Sequence, residues 1–513
     1  MAESRTKKTL LNAKVNLIFY MLTLTLTFFS RRIFLDYLGA EFLGFTTTLQ
    51  NLLGFLNLAE LGIGTAIAYV LYKPLYDADQ VKISEIITVL GYLYRCIGYF
   101  IFSAGIILAL FLPLIFPHTE FSHLLIYFAF FSYLSSSLIG YFINYRQNLL
   151  CADQRNYVVA AYFQSINILK TLIQIGSIYY TYNYYIWIGI EFIFGIIYSF
   201  ILNWKIKQVY PWLKPNLKQG RHLLKQYPEV TRCAKQVFFH RLGGVALYQT
   251  TPLLVYAFTS LSSVALYSNY TIIIGKLGAF YSALMDSTAA GVGNLIAERN
   301  TSKILSVFWE LISIRYFVGA ILTFCIFILI QPFIALWLGK EYILNENILS
   351  LICISAFIGY SRGAVEQFLH GFGLYWDIWA PVVELVINIG VACICGYYWG
   401  LPGVLMGGVI SQLLIIKIWK PWFLFHYGFK KSIWTYVLKM GATYLCIGVP
   451  ALIVYYFSDK LFHIAPDSSY MSWCIYAATI CATYSLITFT VMIFFNPFFR
   501  NSIYRLYKSK FAA

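Results

Sequence analysis

Eight cations and six carboxylates fall inside stretches too apolar to lie in water: Arg31, Arg32, Arg95, Lys170, Arg241, Lys276, Arg315 and Arg362, and Glu60, Glu191, Asp286, Glu310, Glu366 and Glu384. A charge at the centre of a bilayer costs about 2.5 to 3.5 kcal/mol on insertion scales, so each needs a partner or water. Pairing for packing is the competing reading for any one of them. Arg362 and Glu366, spaced i, i+4, read as a local ion pair, and Arg146 and Glu310 lie close enough to predicted helix ends to snorkel. Taken together the set holds more cations than acids and suits an anionic ligand such as phosphate or pyrophosphate, which guanidinium groups bind in a bidentate fork. Arg31, Arg32, Arg95, Arg241, Lys276 and Arg315 are the candidates for that contact. Arg31 and Arg32 point about 100° apart on a helix, so one of the two is expected to face the ligand. Glu60, Asp286 and Glu384 are the acids suited to carrying a coupling proton or sodium ion.

Other chemistries lack their residues. The ten cysteines are scattered with no CxxC, and Cys393 and Cys395 form only a CxC, so neither a disulfide framework nor a zinc site is expected. The seven histidines show no HExxH. The GxG pairs at Gly62/Gly64 and Gly291/Gly293 lack the strand and third glycine of a nucleotide loop. With Gly403, Gly407 and Gly408 they read as points of close helix packing or bending. Asp77–Asp79 spells DAD, but it falls in a turn with no adjacent catalytic set, and no enzyme is expected. No cofactor or metal is expected either.

The elements that must position the charges are membrane helices. Of 513 residues 60% are hydrophobic, 19% aromatic and only 11% charged, and the mean hydropathy is +0.70. Windows of about 20 apolar residues give about 14 spans. They lie near 13–35, 43–71, 86–116, 124–150, 158–180, 185–204, 237–258, 264–296, 305–330, 348–372, 379–399, 402–425, 433–457 and 471–495. Between the sixth and seventh lies a connector with eight basic residues, one acid (Glu229) and three prolines (Pro211, Pro215, Pro228). Placed on the cytoplasmic side by the positive-inside rule, it puts both termini there and leaves only Lys340 and Lys460 on outward loops. The net charge of +16 is thereby explained by loops facing anionic headgroups, and no nucleic-acid partner is expected. Arg5, Lys7 and Lys8 precede a first span with no cleavage site, so a membrane helix and not a removed signal is expected.

The halves repeat. LIGY at 138–141 matches FIGY at 357–360, Arg95 matches Arg315, and Pro113 matches Pro332, at an offset of about 220 residues. An even number of spans in each half makes the repeats parallel, about an axis along the membrane normal. The expected organisation is an all-α polytopic membrane protein. A six-helix bundle at 1–204 and the basic connector at 205–235 precede a second six-helix bundle at 236–426. The bundles are related by a pseudo-twofold around a central cavity, and a two-helix hairpin with a tail follows at 427–513.

The segment PVVELVINIGVACICGYYWGLPGVLMGGVIS (381–411), with RRIFLDYLGAEFLGFTTTLQNLLGFLNLAELGIGTAIAYVLYKPL (31–75) and CADQRNY (151–157), resembles the bacterial polysaccharide-unit flippases. These belong to the multidrug/oligosaccharidyl-lipid/polysaccharide exporter superfamily. The resemblance implies two six-helix bundles forming a V and alternating-access transport of an undecaprenyl-pyrophosphate-linked oligosaccharide across the bacterial inner membrane. The product pathway would be O-antigen, capsule or exopolysaccharide, with membrane lipids and the polysaccharide polymerase machinery as partners. The family keeps cations in its first helix, here Arg31 or Arg32, and in its second bundle, where Arg241, Lys276 and Arg315 are the matching candidates. A drug or metabolite exporter of the same fold is the alternative, and a polytopic polymerase or glycosyltransferase is disfavoured because every outward loop is short.

The orientation is open to a direct test. A fluorescent protein that matures only in the cytoplasm, fused after the last residue, should be bright, and alkaline phosphatase at the same position inactive; the reverse pattern would invert every assignment of sides.

Overall fold

The computed structural model describes residues 5–60, 62–117, 119–374, 376–461 and 465–511, and every element among them is helical. A helix satisfies its own amides and carbonyls, which is what lipid demands. The chain divides into two compact units, residues 1–253 and 254–513. In the first run α1 (Arg5–Leu56), α2 (Ile63–Tyr76), α3 (Gln80–Ile115), α4 (His123–Phe142), α5 (Gln147–Ala152), α6 (Asn156–Thr181), α7 (Tyr184–Val209) and α8 (Gly220–Gln226). Helix α9 (Pro228–Phe258) straddles the division. The second holds α10 (Leu261–Met285), α11 (Ala289–Ala297), α12 (Thr301–Trp337), α13 (Glu346–Ser361), α14 (Gly363–Gly371), α15 (Trp379–Trp399), α16 (Leu401–Gln412) and α17 (Lys420–Phe423). It ends in α18 (Ile433–Leu461), α19 (Tyr470–Phe495) and α20 (Pro497–Phe511).

Eleven of the described helices are long and apolar enough to cross a membrane, and the chain is a multi-pass membrane protein of the expected all-α class. The other three expected spans are helical but differ in kind. The span near 43–71 is divided between the second arm of α1 and the short α2, while α9 and α10 are diluted by polar residues such as Arg232, Lys235, Asn269 and Lys276. Helix α1 bends at Gly39, whose φ of +82° is open to glycine and strained for any residue with a Cβ.

The same skeleton is built twice. The second arm of α1 and then α2 to α7 correspond in order to α10 to α16. Helices α3 and α12 are 36 and 37 residues long. Each opens on a side chain that accepts the amide three residues on, Asp79 from Lys82 (3.0 Å) and Asn300 from Lys303 (3.1 Å). Each cap follows a left-handed residue, Ala78 or Arg299. The Lys82 amide holds the Asp79 carboxyl below its ordinary value.

The basic connector is folded onto the first unit. The Asn216 amide donates to Thr88 Oγ1 (3.1 Å), Tyr210 to the Asp153 carboxylate (2.8 Å) and Tyr227 to Glu85 (2.6 Å). Burial, with Glu85 beside it, pushes the Tyr227 phenol well above its ordinary value. At the far end of the chain the last helices pack on α12: Phe324 and Tyr484 rings lie 4.2 Å apart, and Trp473 Nε1 donates to the Leu329 carbonyl (3.0 Å).

Gly220 is one place where the connector packs tightly on α3, since a Cβ there would overlap Tyr92 near its own backbone. Gly220→Ala should cost about 1 to 3 kcal/mol through overpacking, lowering the thermal midpoint in detergent. Gly176→Ala, with nothing within 4 Å, should cost none. Equal midpoints for the two variants would mean the connector is not seated as described.

Candidate functional site

Each unit contains a helix break, and polar side chains from other helices close it. In the first unit α1 ends at Leu56, residues Asn57–Glu60 make one 3₁₀ turn, and α2 starts after Gly62. Gly62 has φ +94°, and a Cβ on it would press against the Ala234 carbonyl at 2.6 Å and the Phe238 amide at 2.9 Å. The turn is held by side chains from three other helices. Asn57 Oδ1 accepts from Ser137 (2.9 Å) and Tyr141 (3.0 Å) on α4, the Tyr94 hydroxyl on α3 donates to Glu60, and Asn148 Nδ2 on α5 reaches Tyr94 (3.4 Å). Tyr94 and Tyr141 are buried.

The break in the second unit falls at the 3₁₀ turn Asp286–Thr288 between α10 and α11. Arg315 of α12, its side chain 3% exposed, donates to the Met285 carbonyl at 2.8 Å and to Asp286 Oδ1 at 3.3 Å. Asp286 is 63% exposed, so screening weakens the ion pair. The carbonyl at the end of α10 is the stronger partner, because a charged donor satisfies a backbone acceptor there. Thr288 donates to Gln367 Oε1 (3.0 Å), and Tyr281 to the Tyr360 carbonyl (2.9 Å).

The sequence-derived candidates therefore scatter. Arg315 and Asp286 are brought together, but Arg315 is turned into the unit and not toward a ligand. Glu60 is engaged by Tyr94. Arg32 lies 3.7 Å from Asp36, both more than half exposed. Arg31 is half-buried and Arg95 exposed, and among the described residues neither pairs with a carboxylate. Lys276 is half-buried on α10. Arg241 lies on α9, and its side chain is outside the described residues. Glu384 on α15 is 8% exposed, with Arg362, Glu366 and Lys420 as the charges that act on it. The Arg362–Glu366 pair is present at 3.4 Å. Lys170 and Glu191 pair at 2.7 Å with Gln174 beside them (3.2 Å), and Glu310 takes Arg505 at 3.1 Å.

Lys417 is a cation that sequence reasoning does not single out as a site residue. It sits in the π-helical stretch Leu413–Trp419, donating to Tyr316 (2.7 Å) and Ser361 (2.5 Å). Its ammonium lies 4.6 Å from the Tyr316 ring centroid, a cation–π geometry. No carboxylate pairs with it among the described residues. A lone lysine inside LLIIKIW was the available signal. Through Tyr316 and Ser361, which adjoin Arg315 and Arg362, it links the break at Asp286–Thr288 to the one between α13 and α14.

No family model matches the chain, and no curated protein matches it. Solved structures do. The chain aligns with the lipid II flippase MurJ in an inward closed conformation, over 94% of this chain and 98% of that one, with TM-score 0.65 at 15% identity. It aligns with an inward-facing multidrug resistance MATE family transporter of the MOP superfamily, over 80% and 97%, with TM-score 0.56 at 18% identity. A MOP superfamily transporter from Pyrococcus furiosus aligns over 81% and 94%, with TM-score 0.51 at 17% identity. The chain thus has the fold of the MOP-superfamily transporters.

If Arg315 closes the α10 break, Arg315→Met should lower stability by about 2 kcal/mol, the worth of a charged hydrogen bond. Gly363→Ala should do likewise, because its Cβ would overlap the guanidinium. Thermal unfolding in detergent reads both, and an unchanged midpoint for Arg315→Met would show that the break is held by other groups.

Proposed function

We propose that this chain is a flippase. It moves an undecaprenyl-pyrophosphate-linked oligosaccharide unit from the cytoplasmic to the periplasmic leaflet of a bacterial inner membrane, by alternating access, for O-antigen, capsule or exopolysaccharide assembly. The observation that carries the reading is the alignment with the lipid II flippase over 94% of the chain, against 80% for the MATE transporter. The difference is comparable to the share of the chain in α18 to α20. Transport leaves the lipid-linked unit chemically unchanged, so no catalytic residue is needed.

The pyrophosphate contacts fall to cations on membrane helices that are not committed to a carboxylate. Arg31 and Arg95 meet that condition among the described residues; Arg32, beside Asp36 (3.7 Å), and Lys276 and Arg241 are further candidates but are not selected by it. Arg315 acts as a positioning residue that keeps the α10 end closed. Of the acids, Glu384 is the best placed carrier of a proton or sodium ion, because it is buried and makes no hydrogen bond among the described residues. Asp286 and Glu60 are already engaged.

Purified protein in liposomes loaded with a fluorescent undecaprenyl-pyrophosphate oligosaccharide, probed by an impermeant quencher, tests the reading. Wild type should move label between leaflets. The double variant Arg31→Ala/Arg95→Ala should slow at least roughly tenfold, the equivalent of one lost charge-assisted contact, while inserting normally. Full-rate movement by that variant would remove both residues from the site. A wild-type protein that leaves the lipid in place but clears a cationic dye would be a drug exporter.

A further inference from the structure

A cavity of about 250 Å³ opens in the second unit where α12 and α18 begin, and Thr301, Ser302, Ser306, Trp309, Lys431 and Lys439 line it. Its polar lining is two lysine ammonium groups and the hydroxyls of Thr301, Ser302 and Ser306, of which Ser306 donates to Glu310. Neither lysine has a carboxylate partner among the described residues. Lys439 lies 4.8 Å from the Trp309 ring centroid and 4.4 Å from that of Phe498, contacts that fix the ammonium without neutralising it. The nearby acids are spent elsewhere: Glu310 accepts from Arg505 (3.1 Å) and Ser306 (3.2 Å), and Glu298 from Lys303 (2.6 Å).

The first turn of α12 adds amides beside this lining, Thr301 and Ser302 being among the cavity's residues and Asn300 capping the amide of Lys303. Lysine ammonium groups, hydroxyls and helix-start amides together match a tetrahedral oxyanion. The remaining wall is apolar, with Leu305 and Phe498, and both α12 and α18 are among the helices able to cross a membrane. The cavity thus joins an anion-binding end to a surface suited to hydrocarbon.

We propose that this cavity binds the phosphate headgroup of an anionic glycerophospholipid, a lipid held against the last helix pair and separate from any transported molecule. Native mass spectrometry of the full chain released from micelles supplies the test, with phosphatidylglycerol, its phosphate-free diacylglycerol counterpart and inorganic phosphate as probes. Wild type should retain phosphatidylglycerol and not diacylglycerol, and Lys431→Ala/Lys439→Ala should lose at least roughly tenfold in retention, near the worth of one to two interfacial lysines. The charge-preserving Lys431→Arg/Lys439→Arg, which also reports on folding, should retain it. Equal retention by wild type and the alanine variant, or of lipid with and without phosphate, would overturn the site. Retention of inorganic phosphate alone would overturn the lipid as its source.

Discussion

A bilayer interior has no water with which to satisfy a free amide or carbonyl, and that constraint governs where this chain is allowed to stop being helical. Between α1 and α2, and between α10 and α11, it stops. Both interruptions are closed by side chains reaching over from neighbouring helices, and those side chains are the polar and charged residues that look out of place in an apolar chain. Asn57 and Glu60 are held by tyrosines, whereas the α10 end is held by a guanidinium. Arg315, which satisfies the Met285 carbonyl, is in this sense a charge that makes a broken helix tolerable in lipid.

The two units share a skeleton and differ in its chemistry. The caps at Asp79 and Asn300, the left-handed residues before them and the prolines near the ends of α3 and α12 recur at matching places. At the matched arginines the units part: Arg95 is exposed while Arg315 is buried. Tyr141 and Tyr360 likewise occupy equivalent places. The first donates its hydroxyl to the Asn57 side chain (3.0 Å), and the second offers its backbone carbonyl to Tyr281 (2.9 Å). A duplicated frame has therefore left one guanidinium structural and its counterpart available.

The all-α membrane class was readable because hydropathy is a property of the chain itself, whereas the roughly 14 expected spans exceed the eleven described helices long and apolar enough to cross a membrane. Side-chain fates were less so, because they depend on which helix faces which. Arg315 and Arg95 look equivalent in sequence, and only the packing of α12 against the end of α10 tells them apart. Lys417 was not singled out because charge counting gives a lysine near a helix end no special role, and a π-helical stretch has no composition of its own. The i, i+4 pair Arg362–Glu366, being local, was read correctly. The connector was legible as basic but not as folded, since its anchors Thr88, Glu85 and Asp153 lie far away along the chain.

The two π-helical stretches, Leu413–Trp419 and Leu424–Phe429, have a genetic consequence. A π turn is an α-helix that has accommodated a surplus residue, and such turns are kept mostly where they serve a purpose. Loss of one codon between Leu413 and Ile416 would remove the surplus residue and restore α-helical winding, shifting the residues within the turn by about 100° while the flanking helix keeps its faces. Lys417 would swing away from Tyr316 and Ser361 while the composition stayed almost unchanged. In this segment reading length, and not residue type, carries the information.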